Sequence, residues 1–223
     1  LGQSLGGIVP EFVDIPSPGW PLVFGEEGRP GIVLVHDGYG RLPYLEGYAK
    51  SLANQGFFVA VPDLFDGLAT VEAEGARELT ARVDPGFALA TVEDSVALGR
   101  GNGAARVGVI GLGLGGRLAL RVAQSGAVDA VVSYYAALSD EEPGIVPCPV
   151  LIHRAQDSSW SGADEGDLFI SRLKEHGTPV TQHSYAATSD GFANATVLGL
   201  LDKNAAALAF ARSTYFLQAQ LLD

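Results

Sequence analysis

The chain has 223 residues, 47% hydrophobic and 18% charged, a balance that suits a packed core and excludes global disorder. Lys plus Arg number 14 and Asp plus Glu 26, for a formal charge of −12, which argues against nucleic acid or an anionic membrane as partner, because phosphate binding wants a basic face. The single cysteine, Cys148, excludes an intrachain disulfide and a cysteine-cluster zinc site.

Apolar runs alternate with segments of helical period, the signature of a mostly parallel sheet covered on both faces, and no internal repeat interrupts them. Glu11 to Ile15 and Pro21 to Phe24 read as short strands, with Pro16, Pro18 and Gly19 turning between them. Gly31 to His36 is a buried strand, broken by Asp37-Gly38-Tyr39-Gly40. A helix is predicted over Pro43 to Asn54, then a strand over Phe57 to Val61 closed by Pro62-Asp63. Residues 67 to 85 mix alanine, glutamate and arginine and carry no clear period. Gly86 to Leu98 reads as a helix, Ala105 to Ile110 as a strand, Leu114 to Ser125 as a helix and Ala127 to Tyr134 as a strand. A strand over Pro149 to His153, a helix over Asp164 to His176, a strand over Val180 to Tyr185 and a closing helix over Leu201 to Leu222 complete one domain spanning 1–223. The count is about eight strands. No window reaches the roughly 18 uninterrupted apolar residues of a membrane span. Leu1 to Leu5 lack a basic or long apolar leader region, and methionine is absent even at position 1. The expectation is a cytoplasmic protein whose start has been trimmed, either a monomer or a homodimer formed through the closing helix.

The segment Arg106 to Arg117 is a strand, a glycine-rich turn and a helix. Gly111-x-Gly113-x-x-Gly116 matches a dinucleotide fingerprint, in which backbone N–H groups hold a pyrophosphate. That reading wants an acid at the end of the next strand, but the acid there is Asp129, at the strand's beginning. The other reading is a nucleophile elbow, Gly-x-Nuc-x-Gly, spanning Gly111 to Gly115. Its middle residue is normally serine or cysteine in a strained conformation; here it is Gly113, which adopts such angles without penalty.

With that turn in view the chain resembles the dienelactone hydrolase family, a compact branch of the α/β-hydrolase fold. The carriers are the run Gly31 to Gly40, Ala49 to Asp63, Val107 to Ala119, Pro149 to Asp157 and Ser189-Asp-Gly-Phe-Ala193. The resemblance implies an eight-stranded, mostly parallel sheet with helices on both faces. It places the family's Cys-His-Asp triad on Gly113, Asp190 and Asp157. The glutamate of the family's first loop falls on Asp37, and a substrate-binding arginine falls on Asn194. Arg77 and Arg82 are candidates for a second such arginine.

The nucleophile and the histidine are thus replaced, and ordinary triad hydrolysis is expected to be absent. Three carboxylates, Asp37, Asp157 and Asp190, are expected to converge on one rim and to do acid–base work. Backbone groups at Gly38, Gly113 and Leu114 would form an oxyanion site. His36, Tyr39, Tyr134, His153 and Asn194 are candidate substrate contacts. The implied function is cyclisation, isomerisation, dehydration or decarboxylation of a small oxygenated metabolite, in the setting of natural-product biosynthesis, with no cofactor and no metal. A non-catalytic binding protein is one alternative, and a hydrolase with a nucleophile displaced to Ser158, Ser159 or Ser189 is another. Asp37 and Asp190 also read as caps or loop-amide acceptors, and His36 as a backbone hydrogen-bonder.

Overall fold

The computed structural model describes residues 10–158 and 163–222. Its nine strands are β1 (Val13–Asp14), β2 (Leu22–Phe24), β3 (Gly31–Val35), β4 (Phe58–Val61), β5 (Leu68–Ala69), β6 (Val107–Leu112), β7 (Ala130–Tyr134), β8 (Val150–Asp157) and β9 (Val180–Ser189). Its helices are α1 (Tyr44–Asn54), α2 (Ala73–Arg82), α3 (Pro85–Gly101), α4 (Leu114–Gln124), α5 (Ala163–Glu175) and α6 (Lys203–Leu221).

Seven strands form one sheet in the order β2-β4-β3-β6-β7-β8-β9. Only β2 runs antiparallel, on β4. The remaining neighbours are parallel, as the buried apolar runs predict. The strand predicted over Glu11 to Ile15 contributes only β1, which leaves the sheet and pairs antiparallel with β5 through Val13↔Ala69 and Asp14↔Leu68. The sheet therefore has seven strands rather than about eight.

Side-chain alternation splits the core. Val33, Val35, Val107, Val109, Val131 and Ile152 face one side with residues of α3, α4 and α5. Ile32, Leu34, Val59, Ile110, Leu112, Val132 and Leu151 face the other with residues of α1 and α6. A strand period of two puts successive residues on opposite faces, so a strand buried on both reads as continuous hydrophobicity.

The stretch 67–85 resolves into β5 and α2. Two ion pairs one turn apart, Arg77 with Glu74 and Arg82 with Glu78, lace the exposed face of α2. The next helix begins at Pro85, one residue before the predicted Gly86. Asp84 caps it by accepting the Phe87 N–H at 2.7 Å, and Pro85 fills the first helical position, where no N–H is needed. Asp202 caps α6 in the same way through the Ala205 N–H at 2.8 Å.

Two further departures bear on function. The eighth strand runs on to Asp157 and the ninth to Ser189, past the predicted ends His153 and Tyr185. The extra residues pair in parallel with a register shift between Ala155 and Asp157. The chain also reverses its direction of travel across the sheet at β3: β4 lies on one side of it and β6 on the other. In open α/β sheets the crevice beyond the strand C-termini at such a point is where ligands bind.

Candidate active site

Asp37 leaves the end of β3 and Gly113 leaves the end of β6, so both stand at this switch point. Gly113 has φ 50° and ψ −112° and opens α4. Its N–H donates to the Tyr134 carbonyl at 3.0 Å, which anchors the turn to β7. The surrounding glycines are required by contact. A Cβ on Gly111 would lie 2.0 Å from the Gly115 carbonyl oxygen, and one on Gly115 would lie 2.5 Å from that of Val35. A Cβ on Gly116 would lie 2.9 Å from that of Ala136. A Cβ on Gly113 would meet nothing closer than the Asp37 Cβ at 3.5 Å, ordinary contact. The turn therefore has room for a side chain at the position where this chain carries none.

A cleft of about 640 Å³ opens at this point. Asp37, Gly38, Tyr39, Gly113, Leu114, Tyr135 and Asp190 line it, and Arg77 and Thr80 of α2, with Arg117 of α4, stand on its wall. That volume lies within the usual range for a small-molecule site. Helix α2 packs closely over the first loop, because a Cβ on Gly38 would come within 2.7 Å of Thr80 Oγ1. The first-turn amides of α4, starting at Leu114, have no intrahelical acceptor and carry the positive end of the helix dipole.

Asp37 is only 4% exposed. Its Oδ1 accepts the Tyr39 N–H at 3.0 Å, and its Oδ2 accepts Asn194 Nδ2–H at 3.0 Å. Asn194 is fully buried, and its Oδ1 already accepts the Thr196 and Val197 amides at 3.1 and 3.2 Å. That fixes the amide orientation and leaves the NH2 for the carboxylate. Burial raises the Asp37 pKa above its ordinary value, and the Tyr39 and Asn194 hydrogen bonds oppose the rise without cancelling it. A buried carboxyl on a ligand-sized cleft with a raised pKa is suited to proton transfer.

Asp190 follows β9, is half-buried and lines the same cleft. Its Oδ2 accepts Ser158 Oγ–H at 3.2 Å. The partner found for Ser158 is thus a carboxylate, not an imidazole. Ser189 is exposed at the end of β9, and Ser159 lies outside the described residues. Asp157 does not join the other two acids: it is exposed, pairs across the register shift with Ser189 and is not among the cleft-lining residues. The expected convergence of three carboxylates is a convergence of two.

Three predicted substrate contacts lie elsewhere. His36 is fully buried, and Leu64 N–H donates to its Nε2 at 3.0 Å. Its Nδ1 therefore carries the proton donated to the Asp37 carbonyl at 2.7 Å, and the ring positions the loop rather than facing a ligand. Tyr134 and His153 lie beneath the rim on the α6 side. The Tyr134 hydroxyl bonds Ser213 Oγ and the Tyr48 hydroxyl, each at 2.9 Å. His153 bonds Ser213 Oγ through Nε2 at 2.9 Å and the Tyr185 hydroxyl through Nδ1 at 2.8 Å. Burial, then the neighbouring His183 and Arg212, lower the His153 pKa to about 3, so it is neutral. Tyr135 lies one residue past the end of β7, its ring edge-on to that of Tyr134 with centroids 5.9 Å apart, and it lines the cleft that Tyr134 does not. Of the two candidate arginines, Arg77 lines the cleft, whereas Arg82 lies over the Phe12 ring. Arg117 went unanticipated; its only signal is its place one helical turn beyond Gly113. Among the described residues no group of three or more His, Cys, Asp or Glu could hold a metal ion, and no helix is long and apolar enough to cross a membrane.

A mostly parallel sheet, a glycine elbow between β6 and α4 and a cleft beyond the strand C-termini define the α/β-hydrolase fold. The sequence model of the dienelactone hydrolase family matches residues 22–221, and the chain belongs to that family. A carboxymethylenebutenolidase of Pseudomonas putida is 28% identical over 205 residues, covering 84% of this chain and 85% of that protein. A relative in Methylorubrum extorquens is 26% identical over 191 residues, 76% of this chain, and this chain spans only 61% of its length. A solved dienelactone-hydrolase-type structure from Klebsiella pneumoniae superposes with a TM-score of 0.76 at 18% identity, over 98% of this chain and 100% of that one, a likeness of fold.

Proposed function

We propose that this member of the dienelactone hydrolase family is an enzyme that moves a proton on a small oxygenated metabolite without forming an acyl-enzyme. Isomerisation, cyclisation, dehydration and decarboxylation are the reactions of this kind. The observation that carries the reading is the elbow: the position that should present a nucleophile to the cleft is Gly113, with no side chain, while Asp37 stands beside it, buried and held by Asn194. Acyl transfer needs a nucleophile with a base in hydrogen-bond reach. Proton transfer needs only a positioned group of suitable pKa and a donor for the oxygen that gains charge. Asp37 supplies the first, and the α4 N-terminus at Leu114 favours the second. The formal charge of −12 favours a small molecule over nucleic acid or an anionic membrane as the partner.

Two assays test this together. Aryl acetates and a fluorophosphonate probe are offered to the purified protein, with no turnover above buffer and no covalent adduct expected. A panel of small cyclic ketones and lactones is then incubated in D2O, and deuterium uptake is followed by NMR. Uptake is expected with the wild type, falling about 10²–10⁴-fold in Asp37→Asn, the range usual for a lost acid–base group. Ester turnover with an adduct on any serine refutes the proposal, as does uptake indifferent to Asp37→Asn.

A further inference from the structure

Tyr135 follows β7 with φ 38°, in the left-handed region where bulky residues are uncommon. Two contacts hold it there. Its N–H donates to the His153 carbonyl at 2.8 Å, and its ring meets Phe192 edge-on with centroids 5.4 Å apart. The residue is 4% exposed, yet it lines the cleft with Asp37 and Asp190. Its hydroxyl makes no hydrogen bond of normal geometry. The Ala193 amide lies beside the phenol oxygen, but an amide N–H can only donate to it. The phenol proton is therefore without an acceptor. Buried polar groups are nearly always paired, and the exceptions concentrate where function calls for an unmet bond. Burial foremost, then the charges of Asp37 and Asp190, raise the phenol pKa well above its ordinary value, so the group stays a donor across the working pH range.

We propose that the Tyr135 hydroxyl binds a ligand carbonyl oxygen in this cleft, and that the substrate class is an enolisable carbonyl compound: a ketone, lactone or ester with a hydrogen on the carbon next to the carbonyl. This rests on the role proposed above for Asp37. The Asp37 carboxylate takes that hydrogen as a proton. The C–H electron pair becomes the enol double bond, and the carbonyl π pair moves onto the oxygen, to which Tyr135 donates. Return of the proton from Asp37 to the same or a conjugated carbon completes exchange or isomerisation with no co-reactant.

The probe is 2-indanone carrying ¹³C at its carbonyl. With the wild type, a downfield carbonyl shift on binding and deuterium uptake at the adjacent carbons are expected. Tyr135→Phe keeps the ring and its Phe192 contact and removes only the oxygen. It should lose the downfield shift and slow uptake about 10²–10³-fold, the usual effect of removing one donor to a developing oxyanion. Its melting temperature should rise rather than fall, since an unpaired buried hydroxyl is gone; a purely structural tyrosine would show the opposite. Asp37→Asn should keep the shift and lose the uptake. If Tyr135→Phe retains both shift and uptake, the inference is overturned while the Asp37 reading survives. If the shift needs Tyr135 but uptake ignores Asp37, the oxygen site stands and the Asp37 reading falls. A wild type that neither binds nor exchanges the probe overturns the substrate class.

Discussion

Replacing Gly113 and Gly115 by alanine, one at a time, separates a glycine that is merely present from one that packing demands. At Gly113 the added Cβ meets only the Asp37 Cβ at 3.5 Å, so the penalty comes from backbone strain at φ 50° and ψ −112°. Strain of this kind is about 1–3 kcal/mol, offset by about 0.4–1 kcal/mol from the stiffer unfolded chain. The net loss is about 1–2 kcal/mol, or about 2–8 °C in melting temperature for a chain of this size. At Gly115 the Cβ meets the carbonyl oxygens of Val35 at 2.5 Å and His36 at 2.6 Å. Both belong to the backbone at the end of β3 and cannot step aside, so α4 must lift off the sheet. A loss of about 3 kcal/mol or more is expected. Urea unfolding followed by circular dichroism reads both, through the midpoint at unchanged slope. Equal destabilisation of the two variants would refute the reasoning, because the elbow would then be as closed at position 113 as at 115. The expected outcome means that packing leaves space for a serine or cysteine at 113, and that the bare backbone there has no steric cause.

Other outcomes follow from the same geometry. Asp37 has its pKa raised above the ordinary 3.8, so the activity that uses its carboxylate should rise with pH along a limb lying above that value. Stability has the opposite sign: the contribution is present below 3.8 and lost as pH rises through the folded pKa, so the wild type should lose ground to Asp37→Asn over that window. A stability difference between the two that does not vary with pH would contradict this. His153, neutral with a pKa near 3 against 6.5 when unfolded, contributes stability that is full above 6.5 and lost as pH falls toward 3. His153→Gln should flatten that acid limb in a pH series of urea midpoints. Asn194→Ala leaves Asp37 Oδ2 and the Thr196 and Val197 amides short of a partner, and should destabilise by about 2–4 kcal/mol in the same assay. Burial, then Asp129, push the Cys148 thiol up to about 12, so aromatic disulfide reagents should find no reactive thiol in the native protein at neutral pH and one after denaturation.

Where the sequence was legible, local chemistry was strong. The runs that became β3, β4, β6 and β7 are apolar without a break because both faces are covered. Residues 67–85 were opaque because β5 is two residues long and exists only by pairing with β1, while α2 is laced with charge. Strands β8 and β9 outran their predicted ends because Arg154, Gln156 and Asp157 in one and Thr188 and Ser189 in the other break the apolar run, and parallel pairing rather than hydrophobicity carries them on.

The site divides the same way. Gly113 at the elbow, Asp37 after its strand and the family itself could be read from residues near one another in the chain, since a turn and its flanking strand are set by their neighbours. The bond between Asp37 and Asn194 spans 157 positions, and nothing at either end announces the other. Whether Asp157 or Tyr135 faces the cleft depends on a register shift in one strand and the end of another. Local sequence determined the strands, the caps and the empty elbow, because propensity and periodicity act over a few residues. Only the tertiary structure decided that Asp37, Tyr135 and Asp190 share one cleft, because that depends on the order in which seven strands lie side by side.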